Sequence, residues 1–179
     1  CKSMSEFTKG YVLRPATPAD IPAILGLMRD MASFEKLEHI FKASAESLRN
    51  SFFSDEPSAY CLVITPEGQP DTIISYIMWF YNYSSFLDRR GIYLEDLYID
   101  PAHRKKGLGA AALRHLAQMA VTQGCGRLEW VVLDWNQNAI DFYQHQGAQV
   151  LQDWRVVRVT GEALVNMANG TPVPAEAQG

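Results

Sequence analysis

The chain has 179 residues, 47% of them hydrophobic and 20% charged, with a formal net charge of −4. That length and apolar share suit one globular domain with a core of its own. The acidic balance argues against a dedicated nucleic-acid binder, which carries a basic face, and no apolar run reaches the ~18 residues that a membrane span needs. Cys1, Cys61 and Cys125 are scattered without metal spacing or a disulfide framework, so a reducing compartment, the cytoplasm, is expected. His39, His103, His115 and His145 form no ligand cluster, so no metal site is expected. Cys1-Lys2-Ser3-Met4 lacks a signal-peptide apolar core, and Met4 reads as the native start behind three added residues.

The domain is expected over residues 11–169, with tails at 1–10 and 170–179, the second rich in Pro, Ala and Gly and disordered. Residues 11–14 read as a first strand. Thr17-Pro18-Ala19-Asp20 is a helix start: an N-cap, a proline at the first helical position and an acid at the third. Ile21, Ile24, Leu25, Leu27, Met28 and Met31 then recur at helical spacing. A second helix is predicted over residues 44–53, opened by Ser44 with Ser47 three on. Residues 60–65 and 73–81 read as strands of a hairpin joined by Pro66-Glu67-Gly68-Gln69-Pro70. A largely apolar strand follows over residues 91–99, then the turn Arg104-Lys105-Lys106-Gly107-Leu108-Gly109, then an amphipathic stretch to Gln123 that Gly124 ends. With residues 128–133 this makes a β-α-β unit, hence one parallel pair. Asn138, with Asp141 three on, starts a short helix that Gly147 ends; residues 154–159 read as another strand, and 161–168 as a short helix. The fold class is α+β, with a mixed, mostly antiparallel sheet flanked by helices.

Strand, basic glycine-containing turn, helix is the layout of a pyrophosphate cradle. Small residues admit the backbone, successive N–H groups point at the anion, and the helix N-terminus favours negative charge. It is not a P-loop, because Ala110 and Ala111 follow Gly109 where Lys and Ser/Thr are required. Nor is it a dinucleotide loop, because Ala112 takes the third glycine position and no acid ends the strand over residues 128–133. The plainer alternative is a solvated turn before a helix.

Two carboxylates, Glu95 and Asp96, interrupt the apolar strand. Strict alternation puts Tyr93, Glu95, Leu97 and Ile99 on one face and Ile92, Leu94, Asp96 and Tyr98 on the other. A buried carboxylate must be paired, protonated or functional. The structural alternative is an edge position or an ion pair with Arg14 or Arg127; the functional one is a base of raised pKa facing a cleft.

R-x-x-G-x-G between strand and helix, Tyr93-Leu94-Glu95-Asp96 before it, and the stretch from Trp135-Asn136-Gln137-Asn138 to Phe142-Tyr143 and Gly147-Ala148 together resemble the GNAT N-acetyltransferases. The likeness is closest to the diamine and polyamine (spermidine/spermine-type) branch and its thialysine-acetylating relatives. It implies a GNAT fold in which two central parallel strands splay and acetyl-CoA, the co-substrate, enters the gap. It implies Glu95 as base, directly or through one water, and Tyr143 as proton donor to the departing thiolate. Both carry plain alternatives, an edge carboxylate and a core aromatic beside Phe142. It implies cofactor contacts from the backbone of Leu97, Tyr98 and Ile99, from Arg104, Lys105, Lys106, Gly107, Leu108, Gly109 and Ala110, and from Asn136, Ala139 and Tyr143. It implies acceptor contacts from Glu35, Glu95, Asp96 and Trp154, with Asp30, Glu38 and Asp88 as further acids nearby. The expected partners are a small-molecule amine and a second copy in a homodimer, for which residues 154–159 are the candidate edge strand; no nucleic acid and no membrane are expected. Arg89 and Arg90, in a loop expected over residues 82–90, favour an amino-acid-like acceptor over spermine. The rival readings are an acyl-CoA-binding regulatory domain without turnover and a protein lysine or N-terminal acetyltransferase.

Overall fold

In a computed structural model the chain is described over residues 7–174, and it divides into two compact units, Cys1–Leu133 and Asp134–Gly179. The Met4 start and the last five residues of the tail lie outside the described residues.

The first unit is built on a five-stranded sheet in sequential order: β1 (Tyr11–Pro15), β2 (Tyr60–Pro66), β3 (Ser75–Ser84), β4 (Arg89–Ile99) and β5 (Leu128–Glu129). The first three pairings are antiparallel and β4–β5 is parallel. Helix α1 (Ile21–Phe34) buries Ile21, Ile24, Leu25 and Leu27, the face its sequence spacing predicts. It packs with α2 (Ala45–Phe53) over a core that includes Val63, Tyr76, Met78 and Tyr98. Helix α3 (Leu108–Thr122) covers β4 from the other face, burying Leu113 and Leu116.

Local chemistry sets the helix ends. Before α1, Asp20 accepts from the Thr17 N–H at 2.8 Å, as the capping pattern requires. Its two oxygens also take Arg14 Nη1 and Nη2 at 2.7 and 2.9 Å, a bidentate pair that ties β1 to α1. Ser44 and Ser47 cap α2 reciprocally. Helix α3 ends at Gly124 as predicted.

Several expectations change. Strand β5 pairs over two residues only, where a strand over 128–133 was expected; Ile92 meets Leu128 and Tyr93 meets Glu129, and the strands then part. The loop at 82–90 is a much tighter turn, because Asn82–Ser84 and Arg89–Arg90 pair within the β3–β4 hairpin. The turn is held by Asp88 accepting from the Tyr83 phenol at 2.6 Å.

The second unit contains α4 (Gln137–His145) and α5 (Gly161–Ala168). Asn136, not Asn138, caps α4: its Oδ1 accepts from the Ala139 N–H, while Gln137 Nε2 donates to Asp141. Residues 154–159 form no strand. A strand exists only with a ladder partner, and among the described residues this apolar segment has none; Val157 is 91% exposed.

Candidate active site

The site begins with an irregularity in β4. Asp96 pairs with Met78 and Leu94 with Trp79, so Glu95 is an extra residue without a partner across the strand, a β-bulge. The two-residue period is interrupted there. Asp96 and Tyr98 keep to the α1 face, opposite Met78 and Tyr76, while Leu94 falls on the opposite face with Trp79. The strict alternation expected from the sequence, with Leu94, Asp96 and Tyr98 together, is therefore corrected at Glu95.

The bulge also inverts which backbone groups face β5. Before it, the Ile92 N–H donates toward β5, to Arg127 C=O at 3.0 Å; after it, the Asp100 N–H donates toward β3, to Ile74 C=O at 2.8 Å. By alternation the amides of Leu97 and Ile99 face the side that β5 has left. The Tyr98 carbonyl faces β3 and accepts from Ser75 Oγ at 2.7 Å. An inverted strand edge beside a diverging neighbour leaves main-chain donors available to an amide-bearing ligand.

Glu95 is exposed at the bulge, while Asp96 is half-buried. Burial, reinforced by Glu95 and Glu35, pushes the Asp96 carboxyl up to about 6, and a hydrogen bond from the Tyr76 phenol at 3.3 Å offsets part of that. Glu35 is the C-cap of α1 and is itself raised by burial. Glu38 follows in a short 3-10 turn, and Asp30 is exposed on α1. The ion-pair alternative for Glu95 and Asp96 fails: Arg14 is committed to Asp20, and Arg127 to Glu129 at 2.9 Å. Arg90 lies over the Tyr81 ring, 4.4 Å from its centroid, toward the hairpin tip. From Arg90 to Asp96 the strand rises by roughly 20 Å, so the two arginines and the acids occupy different ends of β4.

The cradle runs from Asp100, whose side chain caps the turn Pro101–His103, to α3. Lys105 and Gly107 both have positive φ, 62° and 77°. Gly107 is the N-cap in the left-handed region, which glycine adopts without steric cost. The first intrahelical bond is from Ala111 N–H to Gly107 C=O, so the amides of Leu108, Gly109 and Ala110 precede the ladder and are oriented for an anion. Lys105 and Lys106 are exposed. Arg104 is partly engaged: its Nε donates to Ile99 C=O at 2.9 Å and its guanidinium lies 5.3 Å from the Tyr98 ring centroid. It therefore braces the turn against the strand end, a role the basic run did not indicate.

In the second unit, Asn136, Ala139 and Tyr143 all belong to α4 and its cap. Tyr143 lies against Phe142, ring centroids 5.6 Å apart, and burial raises its phenol above the ordinary tyrosine value. Trp154 is 80% exposed in the segment that was expected to be a strand. A groove of about 560 Å³ along α2, lined by Ser44, Arg49 and Asn50 among others, contains none of the expected site residues.

Sequence reasoning missed the bulge and Tyr76. No residue type marks a bulge in 91–99, since it appears only when β4 is paired with β3. Tyr76 was legible only as part of an apolar strand, although a phenol on a buried strand needs a partner.

The first unit thus combines an exposed carboxylate at a bulge, a parallel pair that parts after two residues and a helix start whose first amides are unbonded within the helix. The chain matches the acetyltransferase (GNAT) family over residues 25–148 and belongs to it. It is 36% identical to a thialysine N-epsilon-acetyltransferase of Bos taurus, over 88% of this chain and 96% of that protein. It is 34% identical to an L-ornithine N5-acetyltransferase of Arabidopsis thaliana, over 85% of each. An integron cassette protein of Vibrio cholerae has the same fold, with a TM-score of 0.74 at 21% identity over 89% of this chain and 98% of that one. The chain is thus an acetyltransferase of that family.

Proposed function

We propose that the acceptor is a small dication, a diamine or a diamino acid such as ornithine or thialysine, acetylated by direct attack within a ternary complex. The observation that carries this reading is the acid set Glu35, Glu95 and Asp96, for which no ion-pairing cation is found among the described residues. An acceptor with one amine to react and one ammonium to be held complements such a set. The names of the two relatives above support it.

In this reading Glu95 removes a proton from the acceptor ammonium, directly or through one water. The freed amine forms the new C–N bond at the thioester carbonyl, polarised by the Leu97 and Ile99 amides, the C–S bond breaks, and the nitrogen loses its surplus proton to solvent water, from which Tyr143 is reprotonated. Tyr143 supplies the proton to the thiolate; its raised phenol is fully protonated at neutral pH. Lys105, Lys106 and the amides of Gly107, Leu108, Gly109 and Ala110 take the pyrophosphate, with Arg104 bracing them. Asn136 and Ala139 contact the pantetheine arm, and Asp96, Glu35 and Trp154 the acceptor. Residues 11–169 act as one acetyltransferase domain in the cytoplasm, as a homodimer that covers the exposed apolar residues Val156 and Val157.

CoA release from acetyl-CoA against putrescine, spermidine, lysine, ornithine, thialysine and a lysine peptide tests the reading. Turnover concentrated on the small dications is expected, and turnover only on the peptide would overturn it. Tyr143→Phe should lower kcat by roughly tenfold to a hundredfold; an unchanged kcat would remove Tyr143 as the donor.

A further inference from the structure

Tyr76 is fully buried in β3, directly across from Tyr98. Its hydroxyl donates to Asp96 Oδ2 at 3.3 Å and lies 3.4 Å from Met31 Sδ of α1. That is long for O–H···O, as befits a hydrogen shared between a carboxylate and a soft sulfur acceptor. No other side-chain donor to Asp96 is found among the described residues.

We propose that Tyr76 is a positioning residue for acetyl transfer, holding Asp96 oriented and ionised so that the acceptor's second ammonium is recognised. This rests on the dicationic-acceptor reading above. The bulge is what makes it work. By adding Glu95 without a partner, it turns the Asp96 side chain onto the α1 face, where Tyr76 stands, and leaves Glu95 exposed for the proton transfer. Two adjacent carboxylates thus receive different environments and different tasks.

The groups facing Asp96 are Tyr76 from β3, Glu95 from its own strand, Glu35 from the end of α1 and, more remotely, Cys61 from β2. Glu95 and Glu35 oppose its ionisation, as does burial; the Tyr76 hydrogen bond favours it. Cys61 is pushed up to about 12 by burial and is neutral at any working pH. Preference for the dication should therefore grow as pH rises through about 6. Removing the phenol should move that limb to higher pH.

The experiment compares acceptors that differ by one ammonium: putrescine with n-butylamine, and ornithine with 5-aminopentanoate. Both pairs are run with acetyl-CoA on the full chain from pH 5.5 to 8.5. Wild type should favour the dication through KM. Tyr76→Phe should reduce that preference roughly fivefold to tenfold through KM and move the acid limb upward. The KM for acetyl-CoA should be kept. A folded Tyr76→Phe protein with unchanged preference and unchanged limb would overturn the inference, leaving the dication reading intact. Wild type that turns over but does not distinguish the pairs would overturn both. Should Tyr76→Phe not fold, 3-fluorotyrosine at position 76, a more acidic donor of nearly the same volume, must move the limb downward; an unmoved limb would overturn the proposal.

Discussion

Two buried or half-buried aspartates of the first unit carry opposite solutions to the same electrostatic problem. Asp20, 6% exposed, meets Arg14 in a bidentate pair and the Thr17 amide, which together hold its carboxyl below the ordinary aspartate value. Asp96 meets a phenol and two like charges, and its carboxyl is driven up to about 6. The first is a joint between strand and helix, its charge answered within the fold. The second is left for something from outside to answer. Burial alone does not mark a functional acid; burial without a cation does.

Substitutions that neutralise each acid should separate the two kinds. The largest effect is expected at Glu95, exposed beside Asp96 and free of the structural burden that Asp20 bears. Glu95→Gln should lower turnover by roughly a hundredfold to a thousandfold at neutral pH, with partial recovery at high pH, where the acceptor amine loses its proton unaided. A pH–rate profile equal to wild type would return Glu95 to an ordinary edge carboxylate.

Asp96→Asn should stabilise the fold while raising the KM for a dicationic acceptor. With the folded carboxyl at about 6 against an ordinary 3.8, the ionised form costs up to about 3 kcal/mol. The sign follows from the raised value: the cost is full above the folded pKa, shrinks as pH falls through it and vanishes below 3.8. Chemical denaturation at pH 8 and pH 4 should show a gain at the first and little at the second. A loss of stability at pH 8 would mean that the carboxylate is compensated after all.

At Asp20 the sign reverses. Asp20→Asn should cost roughly 2 kcal/mol at neutral pH, because it strands the Arg14 guanidinium, and it should leave kcat unchanged. The depressed folded value makes this contribution present above the unfolded pKa and lost as pH falls through the folded one. Melts across the acid range check it, and a neutral-pH melt equal to wild type would remove the pair as a joint.

The smallest effect is expected in the cradle, where no acid is involved. Gly109→Val should weaken CoA binding by about tenfold, since a branched side chain in the first turn of α3 obstructs the approach of an anion to the amides. Unaltered affinity in calorimetry would place the pyrophosphate elsewhere.

Much of this was legible in residue order. Thr17 to Asp20 announced a helix start because capping is a local exchange of hydrogen bonds within four residues. Ile21 to Met31 announced the buried face of α1 because helical period is local too. The turn before α3 was legible as a junction from strand to helix because its residues are consecutive. From the same order came the misassigned strand at 154–159, where β-type composition met no partner, and the misassigned cap at Asn138, where two asparagines two residues apart compete and backbone geometry chooses Asn136.

By itself, then, the sequence determined the helices, the glycine turn before α3, the presence of two carboxylates in one strand and the family to which the chain belongs. Only the tertiary structure decided which carboxylate stands exposed and which is half-buried against a phenol. The register of β3 against β4 inserts Glu95 as an unpaired residue, and that insertion sends Asp96 to Tyr76 and inverts the amides of Leu97 and Ile99. Register is a property of two strands far apart in the chain, set by the packing of both faces at once, and no local pattern in either strand encodes it.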